Sequence, residues 1–302
     1  MVFDLLLIVI GLGLFEIITS VDNAVINAEV LSTLSQKMRR WFLTWGILFA
    51  VFLMRGLLPL LIVMTASPGL GIIEALTFAF DSQAAAAFET SANVLLIAGG
   101  VFLVFIFLHW LFMEPKVYGL SAEKFFHKMN VWFYAVISVL LLVLVWFSIK
   151  SPLMAFGAVT GSTIFFIVHG FRLNAEKMEE EMLHKKGMSA WSKIFYLEAI
   201  DASFSIDGVI GAFAFTFSVP LIILGNGLGA IAVRQLTVSN IERIKRYKYL
   251  KHGAMYSIFF LGLIMIGESF GWHPPSWLTP VITLIVLGYF FWKSKKEIGR
   301  LQ

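Results

Sequence analysis

The sequence predicts an all-α, polytopic membrane protein with about nine transmembrane helices arranged as two inverted repeats. Of the 302 residues, 59% are hydrophobic and only 14% are charged, whereas a soluble domain carries about 25% charged residues. Apolar runs of about 20 residues, the length that crosses a bilayer core, recur along the whole chain. A pattern of acidic residues in the first run also returns in the second half. These observations favour a membrane protein over a large soluble helical protein, whose helices would each show one apolar stripe.

Nine apolar blocks, separated by charged or turn-rich segments, define the predicted spans. They cover residues 3–31, 42–65, 93–113, 130–149, 152–173, 193–217, 220–241, 254–272 and 277–293. The stretch 66–92 is expected to be an external insertion, either a loop or a short re-entrant helix. The first span lacks the basic start and small-residue cleavage site of a signal peptide, so we expect it to be retained. The chain is therefore expected to form a single transporter domain, 1–302.

The basic residues set the expected orientation of these spans. Of the 23 lysines and arginines, 20 lie in alternate connections and the C-terminal tail, and Arg172 is counted with the connection after span 152–173. The opposite connections hold only Lys150, while Arg55 and Arg234 lie within spans. The positive-inside rule then predicts an inner (cell) membrane protein with an external N-terminus and a cytoplasmic C-terminus.

The composition also excludes several kinds of site. The chain has no cysteine, which rules out disulfides and thiolate metal sites. The net charge of +4 reflects membrane orientation rather than nucleic-acid binding, so no nucleic-acid partner is expected. No histidine-rich metal motif or nucleophile with a nearby base is evident, so we expect neither enzymatic activity nor a catalytic residue.

An internal repeat links the two halves of the chain. The segment FEIITSVDNAV at 15–25 aligns with IDASFSIDGVI at 200–210, at a constant offset of 185 residues. The aligned pairs are Glu16 with Asp201, Ser20 with Ser205, and Asp22 with Asp207. In the following span of each half, a glycine precedes an arginine by nine residues, as Gly46 and Arg55, then as Gly225 and Arg234. Because the first motif lies in span 1 and the second in span 6, the two repeats are expected to be inverted.

The expected repeats cover about 1–113 and about 190–272, with extra helices at 130–173 and 277–293. Intramembrane carboxylates are costly and usually functional, and inverted repeats commonly surround a mid-membrane substrate site. The glycine-rich start of the second repeat's next span, Gly225–Gly229, is expected to be a hinge or a broken helix. His109 and His169 lie outside the motifs and are interpreted as residues of a helix interface.

The motif residues form an all-oxygen set that suits a hard divalent cation such as Mn²⁺, Ca²⁺ or Mg²⁺. The expected ligands are four carboxylates and two amides, from Glu16, Asp22, Asp201, Asp207, Asn23 and Asn226. Ser20, Ser205, Glu198, Arg55 and Arg234 are expected to support or gate the site. The two acids of each motif are six residues apart and point about 120° apart on a regular helix. We therefore expect each motif helix to bend or unwind, near Ser20 and near Ser205.

Charge counting suggests how the cation would be exchanged. Four ionised carboxylates and two arginines leave a charge of −2, which one divalent cation would neutralise. A buried site without the cation would instead favour protonation of its carboxylates, because desolvation and like charge both disfavour the charged form. Exchange of metal for protons follows as a hypothesis, with H⁺ as the counter-ion.

The two motifs resemble the TerC integral-membrane family, associated with tellurium resistance, within the LysE-type transporter superfamily. The family pattern is an acid, a serine and Asp-Asn in the first helix, with Asp, Phe-Ser and Asp in the second half. Here it reads as Glu16 to Asn23 and Asp201 to Asp207, and the resemblance covers residues 1–65 and 190–295. This chain departs from the pattern at Gly208, where serine is typical, and in its longer insertion at 66–92. The resemblance implies metal-ion export, chiefly of manganese, and some bacterial relatives are linked to metal loading of exported proteins.

The sequence thus predicts a transporter that exports a divalent metal cation as its substrate, with no permanently bound cofactor. Its expected partners are the lipid bilayer, the cation and a counter-moving proton. Two alternatives stay open: an exporter of small organic solutes such as amino acids, and a membrane factor that loads metal onto exported proteins. Four acids against two arginines suit a cation better than a zwitterion, which favours the first interpretation.

Overall fold

In the computed structural model, the residues described are 2–20, 30–66, 71–77, 82–184, 189–239 and 246–301, and no β-strand occurs among them. The helices are α1 Val2–Thr19, α2 over 36–66, α3 Ile72–Thr77, α4 Ser82–Phe112, α5 Ser121–Lys128, α6 Phe133–Phe147, α7 Pro152–His184, α8 Ala190–Ala212, α9 Val219–Ser239, α10 Leu250–Ser269 and α11 Leu278–Leu301. A 3₁₀ turn, Asn130–Trp132, precedes α6. Every one of the nine expected spans overlaps one of these helices, and the all-α fold class is confirmed.

Helix α2 alternates between two kinds of winding. Its α-helical parts are Gln36–Trp41, Ile47–Phe49 and Leu58–Ala66, separated by the π-helical segments Phe42–Gly46 and Ala50–Leu57. A π turn holds more residues than an α turn, so it shifts which side chains face the neighbouring helices, and such turns often occur at functional sites. Arg55 lies in the second π segment.

Helix α4 forms the centre of the bundle. Buried residues make up 72% of its apolar stretch Ser91–Phe112, compared with 11% of Asn130–Phe147, which lies at the periphery. Its neighbour α7 approaches it through a glycine, because a Cβ on Gly161 of α7 would lie only 2.1 Å from the backbone oxygen of Ala98. The outer face of α6 instead exposes large apolar side chains, Trp146 among them. Such an apolar exterior is suited to lipid rather than to water.

Four helical stretches are long and apolar enough to cross a membrane: Ser91–Phe112, Asn130–Phe147, Pro152–Asn174 and Leu250–Ser269. Two shorter apolar stretches, Leu53–Thr65 and Val219–Gln235, accompany them. The described residues therefore support a polytopic membrane protein.

The insertion 66–92 is more helical than a loop. It contains the short helix α3, and α4 begins at Ser82, while the apolar stretch of α4 starts at Ser91, close to the expected 93; residues 67–70 and 78–81 lie outside the described part. Helix α9 runs unbroken through Gly225–Gly229, so the broken helix expected there is wrong. Its glycines instead permit close packing, since a Cβ on Gly225 would lie 2.5 Å from Cβ of Leu12.

Helix α1 ends at Thr19 and Ser20 lies in a turn. Residues 21–29 lie outside the described part, so the bend or unwinding expected near Ser20 stays a prediction. The matching expectation for the second motif is wrong, since Ser205 lies inside the unbroken helix α8. Asp22 and Asn23 fall outside the described residues, so their expected positions stay predictions.

Candidate functional site

Four acidic side chains are buried where α1, α2, α8 and α9 meet. They are Glu16, Glu198, Asp201 and Asp207, none of which is more than 9% exposed. Three arginines reach these carboxylates, Arg55 from α2, Arg172 from α7 and Arg234 from α9. We call these seven residues the ion-pair cluster. A buried carboxylate is tolerated only when it is paired and hydrogen-bonded, which explains why every acid of the cluster contacts a guanidinium group.

Glu16 and Arg55 form the first ion pair. Glu16 lies in the last turn of α1, where Oγ of Ser20 donates a hydrogen bond of 2.8 Å to its Oε1. Nε of Arg55 donates to the same oxygen at 3.1 Å, and Nη2 of Arg55 is the third donor to it. Arg55 is also within electrostatic range of Asp201 and Glu198. The end of α1 and the π-helical segment of α2 therefore bring the first-motif acid into the cluster.

Arg234 serves two acids of the second motif helix. Its Nη2 lies 3.5 Å from Oε1 of Glu198 and 3.5 Å from Oδ2 of Asp201. Its Nη1 donates to the backbone oxygen of Phe42 at 2.9 Å, and its guanidinium group lies 4.3 Å from the centre of the Phe42 ring. Gly46 leaves room for this pair, because a Cβ there would meet the ends of the Glu198 and Arg234 side chains, which would have to shift.

Asp207 pairs with Arg172, which belongs to a helix outside both repeats. Asp201 and Asp207 thus face different helices, α9 and α7, as their six-residue spacing on a regular helix requires. This is the physical reason why α8 stays unbroken at Ser205: each acid has its own arginine, so the helix need not distort to bring both to one point. The hydroxyl of Ser205 donates to the backbone oxygen of Asp201 at 2.7 Å.

Contacts between α1 and the second half place the two motifs side by side. A Cβ on Gly208 would lie 2.9 Å from Oε2 of Glu16, so the first-motif acid packs directly beside the residue that follows Asp207. Nδ2 of Asn226 donates to the backbone oxygen of Gly208 at 3.4 Å. Within the described part of the chain, Oδ1 of Asn226 and Oε2 of Glu198 are buried without a hydrogen-bond partner. Each of these oxygens could be satisfied by a cation or a proton donor. Glu198 lies ten residues before Gly208 on α8, about 15 Å along the helix, so the two oxygens are separate binding points.

The two motif helices run antiparallel. Gly11 of α1 packs against Phe215, just after α8, and Glu16 packs against Gly208 of α8. Residue numbers therefore rise along one helix while they fall along the other. This is the relation that an inverted repeat requires of its equivalent helices.

The next helix of each half shows the same relation. Gly56 of α2 packs against Ile223 of α9, and Gly46 packs against Arg234, so α2 and α9 are also antiparallel. Each helix of the first half also packs on a helix of the second half, α1 on α9 and α2 on α8. A two-fold rotation that exchanges α1 with α8 and α2 with α9 would interchange these two interfaces.

A third helix pair makes a reciprocal contact. A Cβ on Gly100 of α4 would lie 2.8 Å from the backbone oxygen of Gly262 of α10, and a Cβ on Gly262 would lie 3.0 Å from the oxygen of Gly100. The two glycines therefore let the backbones of α4 and α10 approach closely.

The structure gathers most of the expected site residues, but not as a ready ligand set. Glu16, Asp201, Asp207 and Asn226 lie in or beside the cluster, while Asp22 and Asn23 are outside the described residues. Among the residues described, no three acidic or histidine side chains lie close enough to hold a metal ion. The four carboxylates face three guanidinium groups, which leaves one net negative charge if all are ionised.

Sequence reasoning missed Arg172. It was counted with the connection after span 152–173, but it lies within helix α7 and binds Asp207. The signal was present, since the stretch Pro152–Asn174 is apolar and carries Arg172 as its single charge. A lone arginine at the end of an apolar helix can be an ion-pair partner as well as an orientation signal.

These features define a polytopic α-helical membrane protein with a buried cluster of ion pairs between antiparallel helix pairs. The chain belongs to a family described as "Protein of unknown function (DUF475)", whose model matches residues 21–299. It is also similar to an "Uncharacterized membrane protein" of Rickettsia bellii (strain RML369-C), with 30% identity over 106 residues, which are 35% of this chain and 35% of that protein.

A second similar protein is the "Uncharacterized membrane protein YceF" of Bacillus subtilis (strain 168), with 26% identity over 100 residues, 33% of this chain and 38% of that protein. The matches thus span little more than a third of the length of these curated relatives. No solved structure matches the chain.

Proposed function

We propose that this protein is a secondary transporter that exports a divalent metal cation, with Mn²⁺ as the first candidate and Ca²⁺ or Mg²⁺ as alternatives. The observation that carries the proposal is the excess of buried carboxylates over arginines. Oε2 of Glu198, which has no hydrogen-bond partner among the described residues, is an oxygen that a cation could bind there. Oxygen ligands of this kind suit hard cations. The resemblance of both motifs to the TerC family supports the same substrate class.

In this proposal the two inverted repeats rock about the cluster. The antiparallel relation of α1 to α8 and of α2 to α9 supports such a movement. Transporters built from inverted repeats commonly expose a fixed mid-membrane site to each side in turn. The cation would be bound at the interface of the repeats, with Asp22 and Asn23 completing the ligand set.

Arginine and the cation compete for the same oxygens in this mechanism. Each acid of the cluster is held by a guanidinium group, so a cation that binds the paired oxygen of such an acid must displace its arginine. The displaced arginine keeps its charge, because arginine is not deprotonated in proteins. It must therefore find other acceptors while the metal is bound, which links metal binding to a movement of the helices that carry the arginines.

The test uses the full chain in proteoliposomes with Mn²⁺, Ca²⁺ and Mg²⁺ as separate substrates. We expect saturable transport of at least one ion, and a roughly tenfold or greater loss in Asp207→Asn and Asp201→Asn, since one charged ligand is worth about 1.5–3 kcal/mol. Glu297→Gln is the matched control, because Glu297 is a partly exposed acid outside the cluster. Normal transport by both aspartate variants would contradict the assignment of the site, and absence of flux for all three ions would contradict the substrate class.

One observation favours a second candidate, the export of small organic cations. A groove of about 430 Å³ between α2 and α8 is walled by Trp41, Trp45 and Phe195 and reaches Glu198. This size lies in the range of small-molecule sites, which are mostly apolar with a few polar groups. Amines that inhibit the flux of metal, or that are themselves transported, would favour this candidate.

We also propose the orientation that the basic residues indicate, with the C-terminus in the cytoplasm of an inner-membrane protein. A fluorescent protein fused after residue 302 should fluoresce in cells, since it folds in the cytoplasm. Activity of a periplasmic reporter at the same position would contradict this orientation.

A further inference from the structure

A second group of polar side chains lines a small cavity between α4, α7 and α10. Its titratable and charged members are His109, Glu114, His169 and Arg172, and its walls are otherwise apolar. The cavity measures about 20 Å³, which is enough for a single water molecule. The metal-binding motifs do not include His109, His169 or Glu114, so the proposed cation site leaves this cavity without a role.

The two histidines form a close pair within aromatic surroundings. The centres of the His109 and His169 rings are 4.2 Å apart. Phe165 stacks on His169 with nearly parallel rings, and Phe133 meets His109 edge to face. Two imidazoles so close together cannot both hold a proton without strong repulsion, so the pair is suited to carry one proton at most.

Arg172 connects this pair to the ion-pair cluster. It lies three residues after His169 on α7, so the two side chains share one face of the helix. At the same time Arg172 binds Asp207 of the cluster. Both histidines lie within electrostatic range of Arg172. A single guanidinium group therefore stands between the candidate cation site and the histidine pair.

Glu114 connects the pair to solvent. It lines the same cavity, and its Oε2 lies 2.7 Å from Nζ of Lys251, in an ion pair of which about a third is exposed. The charged groups that face the histidines are thus Glu114 and Lys116 beyond the end of α4 and Arg172 on α7, while Lys251 of α10 pairs with Glu114. A proton leaving the pair can pass through the cavity water to Glu114 and so to bulk water.

We propose that the His109–His169 pair is the proton-binding site of the transporter, linked to the cation site through Arg172. The coupling rests on the proposed transport function. A cation at Asp207 displaces Arg172 towards the histidines, where its positive charge expels their proton to water through Glu114. Binding of a proton to the pair pushes Arg172 back to Asp207, which releases the cation. The two ligands therefore exclude each other, which is the requirement for exchange.

The first test measures Mn²⁺ flux and internal pH together in proteoliposomes of the full chain. The wild type should move protons against Mn²⁺, with a rate that depends on pH. The double variant H109Q/H169Q should lose both proton movement and the pH dependence, so that any Mn²⁺ flux it retains is no longer coupled to protons. His273→Gln is the matched control, because His273 is exposed and far along the chain, and it should behave as the wild type. Unchanged proton coupling in the double variant would overturn the inference while leaving metal transport in place.

The second test does not need transport. NMR of ¹⁵N-histidine-labelled protein, with signals assigned from the single His→Gln variants, reports the protonated fraction of each ring. At mildly acidic pH this fraction should fall in Asp207→Asn, because Arg172 loses its acidic partner and turns its charge to the histidines. An equal fraction in wild type and variant would overturn the link, whether or not the protein carries Mn²⁺.

Discussion

The ion pair of Glu16 with Arg55 gives the sharpest test of the cluster. Glu16 is 1% exposed and Arg55 is 3% exposed, so neither charge is screened by water. Removing one partner of such a pair leaves an uncompensated buried charge and costs about 3–5 kcal/mol in free energy of unfolding. Arg55→Met should therefore destabilise the protein by about this amount. Glu16→Gln should cost less, because Arg55 keeps Asp201 and Glu198 within electrostatic range.

The double variant tests whether the loss in Arg55→Met comes from the unpaired charge of Glu16. E16Q/R55M removes both charges and should recover most of the stability lost in Arg55→Met, since a buried ion pair and an apolar replacement are often nearly equal in free energy. The measurement is the equilibrium unfolding of the purified full chain in mixed micelles titrated with SDS, as a double-mutant cycle. Lys248→Met is the control, because Lys248 pairs with Glu297 at 3.0 Å on the surface, where pairs are worth about 0–1 kcal/mol. A loss in Arg55→Met no larger than in Lys248→Met would refute the buried geometry.

Two further predictions concern helix packing and pH. Gly161→Ala should destabilise the bundle strongly, since its Cβ would meet the backbone of Ala98 at 2.1 Å, while Gly288→Ala, which has nothing within 4 Å, should be neutral or slightly stabilising in the same SDS titration. Burial alone would raise the pKa of Glu123. Its contacts with His252, the Gly119 amide and the Tyr256 hydroxyl instead lower this pKa below the usual 4.5. The stabilisation from Glu123 should therefore be present above that pH and disappear as the pH falls further, and Glu123→Gln should flatten the acid side of the stability curve; equal pH profiles would contradict it.

The positions of the helices followed from the sequence because length and apolarity alone decide which segments can cross a bilayer. Two of the ion pairs were also within reach of sequence reasoning. The equal spacing of Gly46 to Arg55 and of Gly225 to Arg234 placed an arginine in each repeat, and the structure pairs each arginine with the aligned acid, Glu16 or Asp201. These two pairings could thus be inferred from the alignment of the two motifs, whereas the helical period alone does not indicate them.

The pairing of Asp207 with Arg172 could not be predicted in the same way. Arg172 belongs to neither repeat, and no rule of spacing relates α7 to α8 before the packing of the bundle is known. This omission caused the wrong expectation of a distorted helix at Ser205. When only Arg55 and Arg234 were considered as buried arginines, both aspartates of the second motif were expected to face one site. Arg172 lets Asp207 face a different helix from Asp201, as their spacing on a regular helix requires.

The three arginines do not hold their carboxylates equally. Arg55 contacts Glu16 closely and Arg172 contacts Asp207 closely, whereas Arg234 is shared between Glu198 and Asp201 at 3.5 Å from each. Hydrogen bonds weaken at such a length, and Oε2 of Glu198 has no partner within the described residues. Under the proposed function, an incoming cation therefore meets the least competition beside Glu198. Asp207, held by Arg172, would be engaged later, and that step is the one which reaches the histidine pair.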